Sequence, residues 1–313
     1  MKPLLATDYD EDKIVFPIGV QPKIDGVRGL TTEGYLTGRS LKKHKNKYTT
    51  ALYSQTMYAN LDGELAAGSE THPDLCRMTS SALSTIQGEP FTFWHVFDTL
   101  DKHVVAARYI DRYEWLKSFL DYQHRQGLCE HARLVPMHIA SDLQQLRAFH
   151  DAHMEAGYEG TILRGLNALH KQGRSTVLQG QLLRIKDFIT AEFLITGITE
   201  GNENQNEAQT NELGHTFRTS HQENKVLNGM LGSFQGKMIS DVRDPQTNKI
   251  LLTEGQEVTV SPGEISHDLR RMYFQTPSLV IGQIGKFKFF PKGHKEKPRF
   301  PVFQCFRSVE DIS

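Results

Sequence analysis

The sequence predicts a mixed α+β domain followed by an all-β domain. Up to about residue 187, short β-rich runs alternate with two amphipathic stretches. After residue 188, nearly all of the recognisable elements are short strands. The length of 313 residues suits two domains better than one small domain. We therefore place one domain at 1–187 and the other at 188–313.

The strands of the first domain are predicted from β-rich runs that are bounded by turn residues. These runs are GYLTGR, ANLDGELAAG, FTFWHVFDTL, EGTILRG and GQLLRIKDF. Two stretches, at about 107–126 and 141–155, have apolar residues at helical spacing and predict helices. Ser141 is the expected N-cap of the second helix, which should end near Gly157.

The second domain is predicted from six further runs and one helical stretch at 264–274. The runs are AEFLITGIT, GMLGSFQGKM, KILLT, QEVTVS, GQIGKFKFF and RFPVFQCFR. About five strands in roughly 125 residues favour a small β-barrel, and the oligonucleotide-binding (OB) barrel is a common solution. Residues 201–229 between the first two strands are polar and form a long connection. Such a loop in a compact domain is usually functional or disordered.

Composition excludes several classes of protein. With 38% hydrophobic and 23% charged residues, the chain is not a disordered one. No apolar run approaches the ~20 residues that span a bilayer. The segment MKPLLATDYDEDKIVF becomes acidic before an apolar region can form, so a secretory signal is not expected. Cys76, Cys129 and Cys305 are far apart, which disfavours a zinc site or a disulfide framework and fits a reducing cytoplasm.

Positive charge is concentrated in two clusters, although the formal net charge is −1. The first cluster contains Arg39, Lys42, Lys43, Lys45 and Lys47. The second contains Lys286, Lys288, Lys292, Lys295, Lys297 and Arg299, interleaved with aromatic residues. One such run alone is usually a solvated surface. Two of them in a nearly neutral chain favour an anionic polymer as a partner.

The segment QPKIDGVRG, residues 21–29, contains the first candidate for chemistry. A free lysine is a poor nucleophile at neutral pH because it is protonated, and neighbouring cations favour its neutral form. Arg28 lies on the same short segment as Lys23, and Asp25 could contact a ribose. Gly26 would let the backbone turn close to a ligand. Taken alone, the segment is equally typical of an exposed charged turn.

Four later segments support the functional interpretation of this one. LDGEL contains Glu64, FWHVFD contains Phe97 and Asp98, YEGTILR contains Glu159, and LLRIKDF contains Arg184 and Lys186. Carboxylates suit Mg²⁺, lysines suit phosphate oxygens, and an aromatic ring suits a nucleobase. Each segment could also be a turn, core or surface feature. Their order along the chain favours a site.

This series resembles the collinear motifs of covalent nucleotidyltransferases: KxDGxR, DGE, an F-D segment, EG and a lysine-bearing strand. The resemblance covers essentially the whole chain, because GMLGSF and KPRFPVFQCFR are similar to the barrel-domain motifs of that superfamily. Within it, the chain resembles the minimal ATP-dependent DNA ligases of bacteriophages and algal viruses. This implies an α+β nucleotidyltransferase (ATP-grasp-like) domain at 1–187 and an OB-fold domain at 188–313. It also implies a latch-like insert at about 201–229.

The resemblance implies that the cofactors are ATP and Mg²⁺ or Mn²⁺. Lys23 would attack the α-phosphate of ATP and carry AMP. Phe97 would stack on adenine, and the backbone around Gln21 would read the adenine edge. The implied nucleotide-binding residues are Gln21, Asp25, Arg28, Glu64, Phe97, Glu159, Arg184, Lys186, Arg299 and Arg307. The implied metal ligands are Asp25, Glu64 and Glu159.

The implied partner is nicked duplex DNA, bound by a monomer in replication or repair. The implied DNA-binding residues are Arg28, Arg39, Lys42, Lys43, Arg218 and Lys225. Arg184 and Lys186 would hold the α-phosphate as catalytic cations, while Arg299 and Arg307 would orient pyrophosphate. For a phage or viral protein, the location would be the cytoplasm of the host cell.

The chain departs from the superfamily pattern at two places. Arg184 stands where a lysine is usual, and an arginine keeps the charge but cannot donate a proton. Any acid catalysis at that position would then fall to Lys186. The insert is also not basic, so few DNA contacts are expected from it. Its acidic residues are Glu203, Glu207, Glu212 and Glu223, set against Arg218 and Lys225.

Other interpretations of the chain stay open at this point. An RNA ligase or a GTP-using mRNA-capping guanylyltransferase would share the motifs, as would a nucleic-acid-binding protein that has lost catalysis. The RFPVF segment and the latch-like insert favour a DNA ligase. His150 and His153 are expected on an exposed helix face, and Trp94 and Trp115 are expected in the core.

Overall fold

The computed structural model describes residues 1–245, 248–291 and 297–307. The chain divides into two compact units, Met1–Lys186 and Asp187–Ser313. Of the second basic cluster, Lys292 and Lys295 lie outside the described residues.

The first unit is built on two sheets of five strands each. One sheet has the order β2-β12-β10-β3-β9 and the other has the order β5-β4-β6-β7-β8, while β1 and β11 form a separate parallel pair. The strands are β1 (Leu4–Leu5), β2 (Thr7–Asp8), β3 (Ile18–Lys23), β4 (Val27–Thr32), β5 (Tyr35–Thr37), β6 (Leu61–Ala66), β7 (Phe93–Thr99), β8 (Ala132–Leu134), β9 (His138–Ala140), β10 (Gly160–Gly165), β11 (Gly173–Arg174) and β12 (Leu182–Ile185).

The helices of the first unit connect these strands. They are α1 (Lys47–Tyr53), α2 (Leu75–Ser84), α3 (Tyr109–Arg125) and α4 (Leu143–Glu155), with short 3₁₀ helices at Glu11–Lys13 and Thr56–Tyr58. Both predicted helices are confirmed as α3 and α4. The predicted N-cap of α4 is wrong, because the Asp142 carboxylate, not Ser141, accepts the Gln145 N–H at 2.8 Å. No helix in the described part of the chain is both long and apolar enough to cross a membrane.

The core of the first unit is divided by its sheets. Trp94 and Tyr53 are fully buried in the layer that includes α3, with their rings 5.2 Å apart and edge to face. Leu65 points into this layer, whereas the next residue, Ala66, belongs to a smaller cluster with Val135. Burying a large apolar side chain stabilises the fold by about 1.5–3 kcal/mol. Strand β6 is thus held from both faces, which fixes the strand that carries Glu64.

The second unit contains a sheet of five strands in the order β19-β16-β13-β20-β21. Its strands are β13 (Ile189–Asn204), β14 (Ala208–Thr210), β15 (Thr216–Arg218), β16 (Lys225–Met238), β17 (Val242–Arg243), β18 (Ile250–Leu252), β19 (Glu257–Val260), β20 (Ile284–Phe290) and β21 (Arg299–Arg307). Phe193, Phe234 and Phe287 fill its core. Among the described residues, a single bridge between Ser261 and Val302 links the sheet edges, so no continuous ladder closes it into a barrel.

One helix packs on this sheet. It is α5 (His267–Gln275), followed by a 3₁₀ helix at Pro277–Leu279. It confirms the predicted helical stretch but begins three residues later than predicted, because the Ser266 hydroxyl caps it by accepting the Leu269 N–H at 3.4 Å.

The polar insert at 201–229 is an ordered β-hairpin extension, not an irregular loop. Strands β13 and β16 continue into it and remain paired as far as Asn204 and Lys225. Beyond them, β14 and β15 form a small hairpin at the tip. The Asn206 amide donates to Thr219 O at 2.9 Å and to His221 O at 2.8 Å, which closes the tip. Apolar alternation could not reveal these strands, because most of their side chains face solvent.

Candidate active site

A cleft of about 370 Å³ lies in the first unit, among β3, β4, β6, β7, β10 and β12. Cationic side chains outnumber carboxylates in its lining. The charged lining residues are Lys23, Arg28, Arg39, Arg164, Arg174, Arg184 and Glu64. Such an excess of positive charge in a concave site favours an anionic ligand.

Two motif glycines allow the strands around this cleft to approach one another. A Cβ on Gly26 would lie 2.2 Å from Leu65 O, and a Cβ on Gly160 would lie 2.2 Å from Ile185 O. Any side chain would therefore push apart the strands that hold the charged residues. The glycines of KxDGxR and EG are required by this close backbone approach.

Lys23, Glu159 and Lys186 form one linked group of charges at the cleft. The two Glu159 oxygens each accept a hydrogen bond from one lysine, Oε2 from Lys23 Nζ and Oε1 from Lys186 Nζ. The Glu159 side chain is 5% exposed, against 19% for Lys23 and 16% for Lys186. The backbone supports this arrangement, because Glu159 N–H donates to Lys23 O at 3.0 Å.

Burial and neighbouring charges shift the pKa values of Glu159 and Lys186. Burial alone would raise the pKa of Glu159, but the charges and hydrogen bonds of Lys23 and Lys186 hold that pKa well below its usual value. Burial lowers the pKa of Lys186, and the charge of Lys23 lowers it further, against the opposing effect of Glu159. Glu159 is thus a permanent anion that orients two amines.

Glu64 shares the same electrostatic environment. Burial raises its pKa to about 7, the charges of Lys23 and Arg28 oppose the rise, and the charges of Glu159 and Asp25 add to it. Among the described residues, no three His, Cys, Asp or Glu side chains are already grouped closely enough to hold a metal ion, so the assignment of Asp25, Glu64 and Glu159 as metal ligands stays a prediction. Mg²⁺ usually binds through one or two carboxylates together with substrate phosphates, and the donor chemistry of Glu64 and Glu159 fits that smaller set.

Phe97, the predicted adenine platform, lines the cleft beside two guanidinium groups. The Arg28 Cζ lies 4.7 Å from the ring centroid and the Arg164 Cζ lies 4.9 Å from it. Arg28 also makes a bidentate pair with Asp62, with both N–O distances at 2.6 Å. Arg28 therefore lies next to the predicted platform and is not extended into solvent.

Gln21 lies in the cleft wall, and its side chain makes three hydrogen bonds there. Its Oε1 accepts from the Tyr109 hydroxyl at 3.1 Å and from Arg164 Nε at 3.2 Å, and its Nε2 donates to Val135 O at 3.2 Å. These bonds fix the strand end just before Lys23. The sequence motifs assign no role to Arg164, although alternation along β10 places it on the same face as Ile162.

Arg174 is a second cleft residue that sequence reasoning missed. It lies on β11, a strand of two residues, and its Nη1 donates to Ala6 O at 2.6 Å. The segment before it, GLNALHKQG, carries no periodic signal that would place it in a site. Only the tertiary fold brings it to the cleft.

Of the other predicted cations in the first unit, two line the cleft and two lie in the segment after β5. Arg184 lines the cleft and pairs with Asp8 at 2.6 Å, and Arg39 lines the cleft rim. Lys42 and Lys43 lie in the basic segment after β5, and Lys43 Nζ is 3.3 Å from the Tyr35 ring centroid.

The remaining predicted residues belong to the second unit. Arg218 lies at the hairpin tip and donates to Asn206 O, while Lys225 begins β16. Arg307 pairs with Glu192 at 2.9 Å, and Arg299 lies beside Phe300 at the start of β21. These four residues belong to the unit Asp187–Ser313, whereas the Lys23 group belongs to Met1–Lys186.

The expectation that His150 and His153 lie on an exposed helix face is wrong. His153 is 8% exposed, and the Nδ1 atoms of both residues lie 2.9 Å from Thr161 Oγ1. Burial, with the charges of His138 and His150, lowers the pKa of His153 to about 4. The two histidines therefore pack α4 against β10. The expectation for Trp94 is confirmed by its complete burial.

No protein-family model matches this sequence, and no curated protein matches it. Solved structures do match, and they show a nucleotidyltransferase domain followed by an OB-fold domain, which confirms the predicted fold class. The fold is, more particularly, that of minimal ATP-dependent DNA ligases.

Three of these structures illustrate the similarity. The DNA ligase-adenylate of Chlorella virus is 24% identical, with 98% of this chain and 99% of that chain covered and a TM-score of 0.53. A Lig E DNA ligase is 20% identical, with 98% and 99% covered and a TM-score of 0.68. The ATP complex of the bacteriophage T7 DNA ligase is 17% identical, with 98% of each chain covered and a TM-score of 0.50.

Proposed function

We propose that this protein is an ATP-dependent DNA ligase that seals 5′-phosphate/3′-hydroxyl nicks in duplex DNA. The observation that carries the proposal is the Lys23–Glu159–Lys186 group in a cation-lined cleft. The fold shared with ATP-dependent DNA ligases supports it. The first unit would be the adenylylation domain and the second an OB-fold domain, acting together as a monomer.

In the first step, Lys23 Nζ forms a bond to the α-phosphorus of ATP while the bond to pyrophosphate breaks. Lys23 must lose a proton before it can attack, and the neutral amine can still donate a hydrogen bond to Glu159. Glu159 is a poor proton acceptor because its pKa is low, so its role is to orient Nζ. The first proton leaves Nζ to solvent before attack, and a second leaves to solvent or to the departing pyrophosphate as the P–N bond forms.

The cleft supplies positioning and neutralisation of charge, which phosphoryl transfer chiefly needs. Adenine would stack on Phe97, with Gln21 and Arg164 beside its edge. The phosphates would meet Lys186 and Arg184. Mg²⁺, when bound, would offset phosphate charge, and Glu64 and Glu159 would hold it.

Two further transfers complete the proposed reaction. The DNA 5′-phosphate oxygen attacks the lysyl-AMP phosphorus, which frees Lys23 and gives DNA-adenylate. The 3′-hydroxyl then attacks the 5′-phosphate, loses its proton and expels AMP. Arg28, Arg39 and Arg174 would bind the 5′-phosphate during these steps. The exposed Lys42 and Lys43 would meet the duplex backbone.

An intact-mass spectrum after incubation with ATP and Mg²⁺ tests the proposal, with GTP as the parallel sample. We expect an AMP adduct that maps to Lys23 and disappears when nicked DNA is added. A GMP adduct would indicate a capping enzyme instead. No adduct, from folded protein shown to be free of bound AMP, would favour a nucleic-acid-binding protein without catalysis.

The hairpin extension offers a separate test of the DNA interaction. Because Glu203 pairs with Val226, residues 203–226 can be replaced by an Asn-Gly turn that leaves the Asn202–Leu227 pair intact. We expect nick affinity to fall about 10-fold or more, an effect of about 1.4 kcal/mol. Enzyme adenylylation should be unchanged, since the first step needs no DNA.

A binding titration with labelled nicked duplex measures this effect, and the adenylylation rate of the same preparation is its internal control. Arg218→Ala and Lys225→Ala test whether charge in the hairpin is responsible. Unchanged nick affinity in the shortened protein would rule out a latch. Loss of adenylylation would indicate damage to the fold instead.

A further inference from the structure

A second cluster of polar side chains, outside the lining of the cleft, contains Glu70, His95 and Tyr158. Glu70 Oε2 lies 3.1 Å from His95 Nδ1, and the Tyr158 hydroxyl donates to Glu70 Oε1 at 2.6 Å. His95 is 4% exposed. The hydrogen bond with His95 lowers the pKa of Glu70 despite its partial burial, and the bond from Tyr158 adds to this effect. Glu70 is thus an anion with both oxygens engaged.

The partners of Glu70 belong to different sheets. His95 lies on β7, in the sheet that contains β6, whereas Tyr158 lies just before β10 in the other sheet. Glu70 itself follows β6 after a short turn. One carboxylate therefore bonds to residues of both sheets that contribute to the lining of the cleft.

Each partner is also adjacent to a carboxylate of the candidate active site. His95 is directly opposite Glu64 in the β6–β7 ladder, so the two side chains share one face. Tyr158 precedes Glu159, the residue that holds Lys23 and Lys186. A shift of either sheet would change the separation of Glu64 from Glu159.

We propose that Glu70 is a positioning residue for adenylylation, acting through His95 and Tyr158 to set the separation of Glu64 and Glu159. The inference rests on the proposed function. In-line transfer to Lys23 tolerates little error, since a displacement of about 1 Å can cost about 100-fold in rate. Apolar packing between the sheets remains without Glu70, because Ile24, Ala66 and Val135 are buried there. Loss of Glu70 should therefore let the separation of Glu64 from Glu159 vary without unfolding the unit.

Single-turnover adenylylation of the full chain tests the role of Glu70. Glu70→Ala should lower the rate at saturating ATP about 10–100-fold, with the apparent KM for ATP changed less than about 2-fold. Tyr158→Phe keeps the packing and removes one bond, so a loss of several-fold is expected. Glu70→Gln should retain most of the rate, because its amide can accept from Tyr158 and donate to His95.

Glu11→Ala is the matched control, since it breaks an exposed ion pair with Arg147 of the same unit, at 2.6 Å. It should leave rate and KM unchanged. The proposal is overturned if Glu70→Ala alters only the thermal midpoint, if it raises only KM, or if Glu70→Gln is as slow as Glu70→Ala.

A measurement without turnover separates this inference from the proposed function. NMR signals of ¹³C-methylated Lys23 and Lys186 report their ion pairs with Glu159. They should shift in Glu70→Ala and stay unchanged in Glu11→Ala. If the wild-type chain forms no AMP adduct, the ligase proposal is overturned. If the lysine signals do not shift in Glu70→Ala, the positioning role is overturned, whether or not the adduct forms.

Discussion

Replacing Lys23 with alanine is expected to abolish the covalent AMP adduct while the protein stays folded. Lys23 is the amine that Glu159 orients at the cleft, and Glu159 keeps Lys186 as a partner in the variant, so its buried charge stays compensated. Lys23→Arg should be equally inactive, because a guanidinium group stays protonated. Intact-mass spectra with ATP and Mg²⁺ measure the adduct, and circular dichroism measures the fold.

The same variant separates the first step of the proposed reaction from the last. Lys23→Ala should still seal a nick that already carries AMP on its 5′-phosphate, because the last step uses DNA-adenylate and not the lysyl-AMP intermediate. Lys117→Ala, an exposed lysine on α3, is the control and should form the adduct normally. An AMP adduct on Lys23→Ala would show that the nucleophile is a different residue.

Much of the candidate active site could be located from the sequence because its residues lie at the ends of strands. β3 and β10 are antiparallel neighbours, so Lys23 at the end of one comes next to Glu159 at the start of the other. They are 136 positions apart in sequence. Local pattern alone gives no reason to join them, and only the ordered motif series indicated that they meet.

Other parts of the site depend on contacts that local pattern does not encode. Arg112 lies on the amphipathic α3, where an arginine usually faces solvent, yet it is 1% exposed. Asp98 follows the predicted adenine platform and could be read as a ligand-binding carboxylate. The structure instead buries it between Arg112 and Arg164. Burial of that kind depends on how α3 packs against β7, which is a tertiary property.

Asp98→Asn is expected to lower the free energy of unfolding by about 3–5 kcal/mol, the usual cost of breaking one side of a buried ion pair. The Asp98 carboxylate accepts from Arg112 Nε at 2.8 Å and Nη2 at 3.0 Å, and Arg164 Nη1 lies 3.6 Å away. An asparagine would offer one acceptor and turn N–H donors toward guanidinium donors. Urea denaturation measures the loss. Asp111→Asn, in an exposed pair with Arg108, is the control and should change stability little.

The dependence of this loss on pH distinguishes a charge effect from a packing effect. Burial alone would raise the pKa of Asp98, but the hydrogen bonds and charge of Arg112, with the charge of Arg164, hold it below its ordinary value of 3.8. The stability that the carboxylate contributes is therefore present above pH 3.8 and is lost as the pH falls through the lower pKa of the folded state. The difference between wild type and Asp98→Asn should shrink in that range, because a protonated aspartate and an asparagine are both neutral. A difference that stays constant with pH would assign the loss to packing and would remove the ion pair as its cause.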